Sequence, residues 1–487
     1  YYQGDPIWFQ CYVVTPGLNH PTELSKTLYV ELLNPGGEII SKRVLPIRNG
    51  RCHSSFELTQ LPFYSGFYEV RAYTKYMLNF GEEIIFSRVL PVFDKPANPG
   101  EYKEKNIQKY AVYKYPQTRK KAMKAKKVNL KFFPEGGNLV KGVPSQVAFE
   151  ATDAYGNPIT LFGRIINRRK EEIGHFATIH EGRGVFTYIP TGEDADKAEV
   201  ELGGKKYRFD LPEVRSQGYV LHVDNLTSED SIAVSVQKNT YTPSNLLGLA
   251  VIAHGKLLNS CLLNVGKNTP VSFKLDKSEW TPGVVQLVLF DTAGQIIADR
   301  LVFTRKPELL VVDVRKSKES YQPFERVTLD FSVRDTTGNP VSAPMSVSIR
   351  DGWEEVESRH SMLVDLLLMS EIKGYVHRPL YYFEVNDMEH RLALDCLLMV
   401  QGWRRYKWKY AAGVEPFELK YMPEQGIEVH GQVVSFVRGK PKPNMQVSSF
   451  LAKRGEEEIS SGMTSFGLLE TDSLGRFAFI TNIEGKW

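Results

Sequence analysis

One phrase occurs twice in this chain and limits what can surround it. It reads Asp153-Ala154-Tyr155-Gly156-Asn157-Pro158 and again Asp335-Thr336-Thr337-Gly338-Asn339-Pro340. Each copy closes a run of alternating apolar and polar residues. Before the second, Val327, Leu329, Phe331 and Val333 share one face, and Thr328, Asp330, Ser332 and Arg334 share the other. Val147, Phe149 and Ala151 do the same before the first. Alternation at period two is a strand with one dry and one wet face. The phrase itself is turn chemistry: Asp caps its own backbone, Gly accepts positive φ, and Pro fixes φ beyond the turn. A chain punctuated in this way is expected to be all-β, built of short antiparallel strands.

The 487 residues divide into several such units. Residues 1–95 read as a β-sandwich: a strand at Ile7–Val14, alternation at Leu28, Val30 and Leu32 into the turn Asn34-Pro35-Gly36-Gly37, and a late pair at Gly66–Tyr73 and Ile84–Val92. Residues 96–127 form a linker whose run Arg119, Lys120, Lys121, Lys124, Lys126, Lys127 is either solvated or a surface for an anionic glycan or lipid. Residues 128–213 open with Phe132-Phe133-Pro134-Glu135-Gly136-Gly137. Residues 214–306 end in a hairpin, Val284–Phe290 returning through Ile296–Phe303. Residues 307–412 hold the second turn phrase and two helical stripes: Met362, Leu363, Leu366, Leu367, Met369, and then Leu392, Leu394, Leu397, Leu398, Val400. A helical insertion at about 358–408 packed on a fourth sandwich is expected. Residues 413–487 return to strands and turns.

The units share a lead-in. Tyr2-Gln3-Gly4, Val140-Lys141-Gly142, Tyr241-Thr242-Pro243 and Tyr321-Gln322-Pro323 each stand just before an alternating strand. Four such lead-ins indicate an array of like domains. With the Asp153 and Asp335 turns and the strand at Gly66-Phe67-Tyr68, they resemble the macroglobulin-type domains (MG, MG2) of the alpha-2-macroglobulin superfamily. That resemblance implies tandem immunoglobulin- or fibronectin-like β-sandwiches. Phe133-Pro134-Glu135-Gly136-Gly137 together with Gln401-Gly402-Trp403-Arg404-Arg405-Tyr406 is similar to large exported proteins of Gram-negative bacteria. In the tail, Gly431-x-Val433, Gly439-x-Pro441 and Thr471-Asp472-x-x-Gly475-x-Phe477 resemble a carboxypeptidase-regulatory-like, transthyretin-type domain. Relatives of that kind often continue into a TonB-receptor-plug-like domain. The chain, which starts without Met and stops after a strand-like run, is accordingly expected to be a piece of a longer protein, its last domain truncated.

The chemistry expected of it is sparse. Protease-trapping macroglobulins carry a thioester in Cys-x-Glu-Gln. Here Cys11, Cys52, Cys261 and Cys396 lack that context, and Glu424-Gln425 has no cysteine before it. No two cysteines have metal-ligand spacing. They are either buried free thiols or, for Cys11 and Cys52, a disulfide of an oxidising compartment. His175 and His180 are read as surface histidines. His-Glu-x-x-His, Gly-x-Ser-x-Gly and a phosphate loop are all absent. No catalytic, cofactor or metal residues are assigned, and an enzyme is not expected. A net charge of +4 makes no case for nucleic acid. No stretch approaches the ~18 apolar residues of a membrane span, so membrane association would come only through regions outside this chain.

Two sets of residues stand out as candidates. Trp403, Arg404, Arg405, Tyr406 and Trp408 interleave aromatic and cationic side chains, a pattern that stacks on sugars or on a partner chain but also packs an insertion. Asp-Ser/Thr triplets at Ser231, Thr292, Thr336 and Ser473 resemble a bacterial envelope O-glycosylation pattern; they are also plain turn chemistry. Asn225-Leu226-Thr227 fits an N-glycosylation triplet only in a eukaryotic secretory setting. The reading that follows is a non-enzymatic envelope array, spacer and protein- or glycan-binding surface, located in the periplasm or at the outer membrane. The alternative is an accessory region of a TonB-dependent nutrient uptake system.

Overall fold

Antiparallel pairing organises the computed structural model, which describes residues 1–58, 65–93, 128–154, 156–192, 196–243, 245–266, 270–305, 310–349, 360–374, 376–401, 408–411, 413–451 and 465–482. The basic linker 96–127 lies outside the described residues. The fold is all-β with a few short helices. It divides into two compact units, Tyr1–Ala125 with Lys407–Trp487, and Lys126–Tyr406.

The first unit begins with β1 (Pro6–Tyr12), β2 (Thr27–Leu33), β3 (Ile39–Pro46), β4 (Arg51–Glu57), β5 (Gly66–Tyr73) and β6 (Phe86–Val92). They form a four-stranded sheet, β3-β2-β5-β6, and a pair, β1-β4. Between them lie Ile7, Val30, Leu32, Phe56 and Tyr68, all buried. The expected late hairpin is β5 with β6, Gly66 opposite Val92.

The second unit starts with β7 (Asn129–Pro134), β8 (Leu139–Val140), β9 (Ser145–Thr152), β10 (Phe162–Ile166), β11 (Glu172–Ala177), β12 (Arg183–Tyr188), β13 (Lys197–Leu202), β14 (Lys205–Asp210) and β15 (Val214–Arg215). Sheets β12-β9-β7 and β11-β10-β13-β14 enclose Phe149, Phe176 and Phe186. Val147, Phe149 and Ala151, the dry face read from the alternation, are fully buried. Next come β16 (Tyr219–Asp224), β17 (Ser231–Lys238), β18 (Leu246–Ala253), β19 (Lys256–Asn264), β20 (Val271–Asp276), β21 (Gly283–Phe290) and β22 (Ile296–Thr304). Sheets β16-β17-β20 and β19-β18-β21-β22 bury Leu221, Val236, Leu287 and Val302.

One pairing device recurs. Gly163 faces Phe176, Gly184 faces Phe149, Gly248 faces Phe290, and, in the first unit's tail, Gly431 faces Phe477, each directly across a ladder. In all four the ring of the opposed residue fills the space where a Cβ would stand, 2.2 to 2.7 Å away. The missing side chain is replaced by an aromatic from the next strand.

Beyond β22 the order expected for 307–412 changes. Among the described residues, β23 (Leu310–Lys316) and β24 (Leu329–Asp335) pair only with each other. The second alternating run therefore keeps an open face, with Phe331 38% exposed. The two copies of the phrase make the same turn: Asp153 Oδ1 accepts from the Asn157 N–H and Asp335 Oδ1 from the Asn339 N–H, each at 2.9 Å. Their faces differ because β9 is flanked on both edges and covered, whereas β24 has one neighbouring strand among the described residues.

The helical stripes form α1 (Met362–Val364) running into a wide helical turn at Asp365–Met369, then α2 (Tyr381–Glu384) and α3 (Met388–Val400). Asp387 caps α3, its carboxylate accepting from the His390 N–H at 2.9 Å. The insertion was expected on a fourth sandwich. Its buried partners are instead Val284, Leu301 and Phe303 of β21 and β22, against Leu367, Leu368, Tyr382, Leu394, Leu397 and Leu398. The insertion thus covers the outer face of β21 and β22, while Val312, Val314 and Phe331 of the β23–β24 ribbon stay exposed. The first stripe is also rotated: Leu367 and Leu368 are buried while Met362 and Leu363 are exposed.

The first unit then resumes with a short helix α4 (Trp408–Ala411), β25 (Ile427–Gln432), β26 (Gln446–Leu451), β27 (Ser465–Glu470) and β28 (Arg476–Thr481), paired β25-β28 and β26-β27. The segment before β25 lies along the first sandwich. Glu424 is buried and accepts the Lys75 N–H at 2.6 Å, its carbonyl accepts the Lys26 N–H at 2.7 Å, and Phe417 stacks on Phe80 at 5.2 Å. Sequence-distant ends thus share one unit, which no local pattern indicated.

Candidate functional site

The phrase Phe133-Pro134-Glu135-Gly136-Gly137 ends β7 in a tight turn. Gly136 has φ +70, and a Cβ there would stand 3.0 Å from the Ala298 side chain of β22. Glycine lets the turn press against that strand. The turn carries Glu135 inward to 3% exposure.

A buried carboxylate needs partners. Glu135 Oε1 accepts from Arg300 Nε at 3.0 Å and from the Val223 N–H at 3.1 Å, and Oε2 meets His222 Nδ1 at 2.7 Å. Arg300, 2% exposed, reaches the other way, its Nη2 donating to Asp395 Oδ2 of α3 at 2.6 Å. One guanidinium therefore ties the second sandwich, the third sandwich and α3 together. Burial pushes the Asp395 carboxyl up, and Arg300 opposes it. Glu135 raises the half-exposed His222 against its burial. The Cys396 thiol beside this joint is driven up to about 12 by burial, so it is a packing residue and no nucleophile.

A second cluster fastens α2. His180, between β11 and β12, stacks on Tyr381 at 3.7 Å with 5° between planes, and His390 of α3 stacks on the same ring at 4.4 Å. Tyr382 is fully buried, and burial pushes its hydroxyl to about 12. Arg183 pairs with Glu150 at 2.8 Å nearby. His180, read from sequence as a surface residue, is here part of a packed joint, and burial lowers it to about 4.

The two histidines respond oppositely to pH. The depressed pKa of His180 means that its neutral form belongs to the folded state. Its contribution is complete above pH ~6.5 and lost as pH falls toward 4. The raised pKa of His222 contributes below pH ~6.5 and is lost as pH rises through its folded value. Because the His180 ring is only partly buried, acidification from pH 7 to 4.5 is expected to cost about 1 kcal/mol through it. Thermal unfolding of wild type and His180→Gln across that range checks this: the variant should lose less stability on acidification.

The residues singled out from sequence lie elsewhere. Trp403, Arg404, Arg405 and Tyr406 fall outside the described residues; Trp408 begins α4 and is half-buried. Thr292, Thr336 and Ser473 are exposed in turns closed by Asp291, Asp335 and Asp472. Ser231 opens β17, partly buried, its hydroxyl donating to Ser228 Oγ at 3.1 Å. Among the described residues no three His, Cys, Asp or Glu side chains are grouped to hold a metal ion. No helix among them is long and apolar enough to cross a membrane. Sequence reasoning quoted Glu135 only as part of a phrase and missed Arg300 and Asp395. An Arg on a strand's inner face and an Asp inside a Leu-rich helix were the available signals.

No protein-family model matches the chain, and no curated protein matches it. Solved structures similar to it include Salmonella alpha-2-macroglobulin reacted with methylamine, at 12% identity and TM-score 0.17, covering 69% of this chain and 24% of that one. Escherichia coli alpha-2-macroglobulin activated by porcine elastase aligns at 11% identity and TM-score 0.20, over 70% and 32%. Domains 4–9 of the surface layer protein SbsC align at 14% identity and TM-score 0.24, over 65% and 46%. The chain thus spans a quarter to a third of the length of these macroglobulins. At such TM-scores the superpositions carry no argument about its activity.

Proposed function

We propose that this chain is a non-enzymatic array of β-sandwiches exported to the envelope of a Gram-negative bacterium, acting as a spacer and as a surface for a protein or glycan partner. The observation that carries the reading is the Glu135–Arg300–Asp395 joint. Charges that an enzyme would turn toward a substrate are here enclosed between sandwich, sandwich and helix, where they hold a fixed geometry. A spacer that presents a surface needs such joints.

The run Trp403, Arg404, Arg405, Tyr406, Trp408 is the proposed contact, and Thr292, Thr336 and Ser473 are the accessible hydroxyls proposed for O-glycosylation. Purified chain is used as bait on detergent-solubilised envelope, and retained proteins are identified by mass spectrometry. Arg404→Ala with Arg405→Ala is expected to reduce capture about tenfold, as for loss of interface arginines, with an unchanged melting profile. Equal capture by the variant removes that run from the proposal.

A second reading makes the chain an accessory region of a TonB-dependent uptake system. It is favoured by the tail pattern, in which Gly431 and Phe477 are cross-strand partners of β25 and β28. Co-purification of an outer-membrane barrel with the bait would support it; a partner set without one would count against it.

A further inference from the structure

Strands β1 and β4 run antiparallel with Cys11 directly opposite Cys52. We propose that these two residues are a disulfide site, closed by thiol–disulfide exchange in an oxidising compartment. Two flanking bonds fix the geometry. The Val13 N–H donates to the Gly50 carbonyl at 2.7 Å, and the Leu58 N–H donates to the Asp5 carbonyl at 3.3 Å. Both pairs lie an even number of steps along the ladder from Cys11 and Cys52. The cysteines therefore occupy a hydrogen-bonded pair, whose Cα atoms are about 5.5 Å apart. Disulfides span about 4.4–6.8 Å between Cα atoms.

Opposed residues project to the same side of a ladder. Cys52 is buried in the first sandwich's core and Cys11 packs against it beside Phe9 and Val13. A hydrogen bond from the Cys52 thiol holds Cys11 below the usual thiol range, against its burial. Cys11 is also the more accessible of the two, which makes it the attacking sulfur. Closure must draw the Cβ atoms from about 5 Å to about 4 Å. Among the described residues the β1–β4 ladder has no third strand, so it can take up that movement. The other two thiols lack this arrangement: Cys261 stands opposite Leu249, and Cys396 lies within α3.

The exchange is balanced by a disulfide carrier, either oxidised glutathione or a thiol–disulfide oxidoreductase. The Cys11 thiolate attacks one carrier sulfur and releases the other as a thiol. The Cys52 thiol, losing its proton, then displaces the remaining carrier sulfur. The carrier gains two electrons and two protons, and the chain loses two hydrogens. The closed loop encloses β2 and β3. Its formation should raise the melting midpoint of the first sandwich by roughly 5–15 °C. The oxidant in the cell rests on the exported reading given above; the chemistry of the pair does not.

The test uses the full chain, as wild type and as Cys261→Ser with Cys396→Ser, incubated with oxidised glutathione and then digested under non-reducing conditions. The expected result is an intact mass lower by two hydrogens, a peptide linking Cys11 to Cys52, and a melting midpoint that falls again on reduction. A folded wild-type chain that keeps both thiols free, or holds glutathione on Cys11 without closing, overturns the proposal. If the double variant fails to fold, the linked peptide in the wild type decides it alone. Closure in vitro with no envelope partner captured would separate this inference from the proposed function.

Discussion

Replacing Arg300 by Met should lower the unfolding free energy of the Lys126–Tyr406 unit by about 3–5 kcal/mol. The magnitude follows from what the substitution leaves behind. Glu135 and Asp395 lose the guanidinium that sits between them at 3.0 and 2.6 Å. Glu135 keeps the Val223 N–H and His222, while Asp395 has no comparable replacement and must take up a proton. Stranding a buried charge costs far more than an intact pair contributes. A companion variant isolates this term: Arg300→Met with Glu135→Gln and Asp395→Leu removes both stranded carboxylates. It should recover at least half of the loss, because an apolar replacement of a whole buried network is often neutral. Equilibrium denaturation of both variants is the measurement. If Arg300→Met costs under about 1 kcal/mol, in the range of an exposed pair, the joint does not hold the sandwiches.

Leu397→Ala is the second expected result, with a loss of about 2–5 kcal/mol and release of α3. Leu397 is fully buried among Leu301, Phe303 and Tyr382. Removing its branched side chain forfeits transfer free energy and leaves a cavity that neighbours on two rigid strands cannot close. Met388→Ala, at an exposed position directly after the Asp387 cap, should stay within about 0.5 kcal/mol. Amide hydrogen exchange over 388–400 distinguishes docking from mere helicity. The Leu397 variant should lose protection along the whole helix, and the Met388 variant should keep it. Equal protection in both would mean that α3 is not held by this face.

Both predictions concern contacts that are remote in sequence, and this marks where legibility ended. The strands were readable. Alternation placed β9 within two residues because burial on one face imposes period two locally, and the runs read at Gly66–Tyr73, Val284–Phe290 and Ile296–Phe303 are β5, β21 and β22 to within a residue. The Asp turns were readable for the same reason: the cap joins Asp to an N–H four positions on, and only nearby residues are involved. The helical stripes were readable as helices, and Leu394, Leu397 and Leu398 as their buried side. The surface that would cover them was not, since an apolar stripe does not specify its partner.

Sequence by itself determined the all-β class, the positions of most strands, the turns between them and the existence of two helical segments. Each of these depends on propensity and periodicity over a few neighbouring residues. Tertiary structure alone decided the rest. It placed α3 on β22 and returned the tail to the first sandwich. It also set an aromatic over four cross-strand glycines, and put Cys11 opposite Cys52. It brought together Glu135, Arg300 and Asp395, separated by 165 and 95 positions. Such contacts arise when sheets stack and bury charged groups that must then find each other, and no stretch of sequence short of the whole fold carries that requirement.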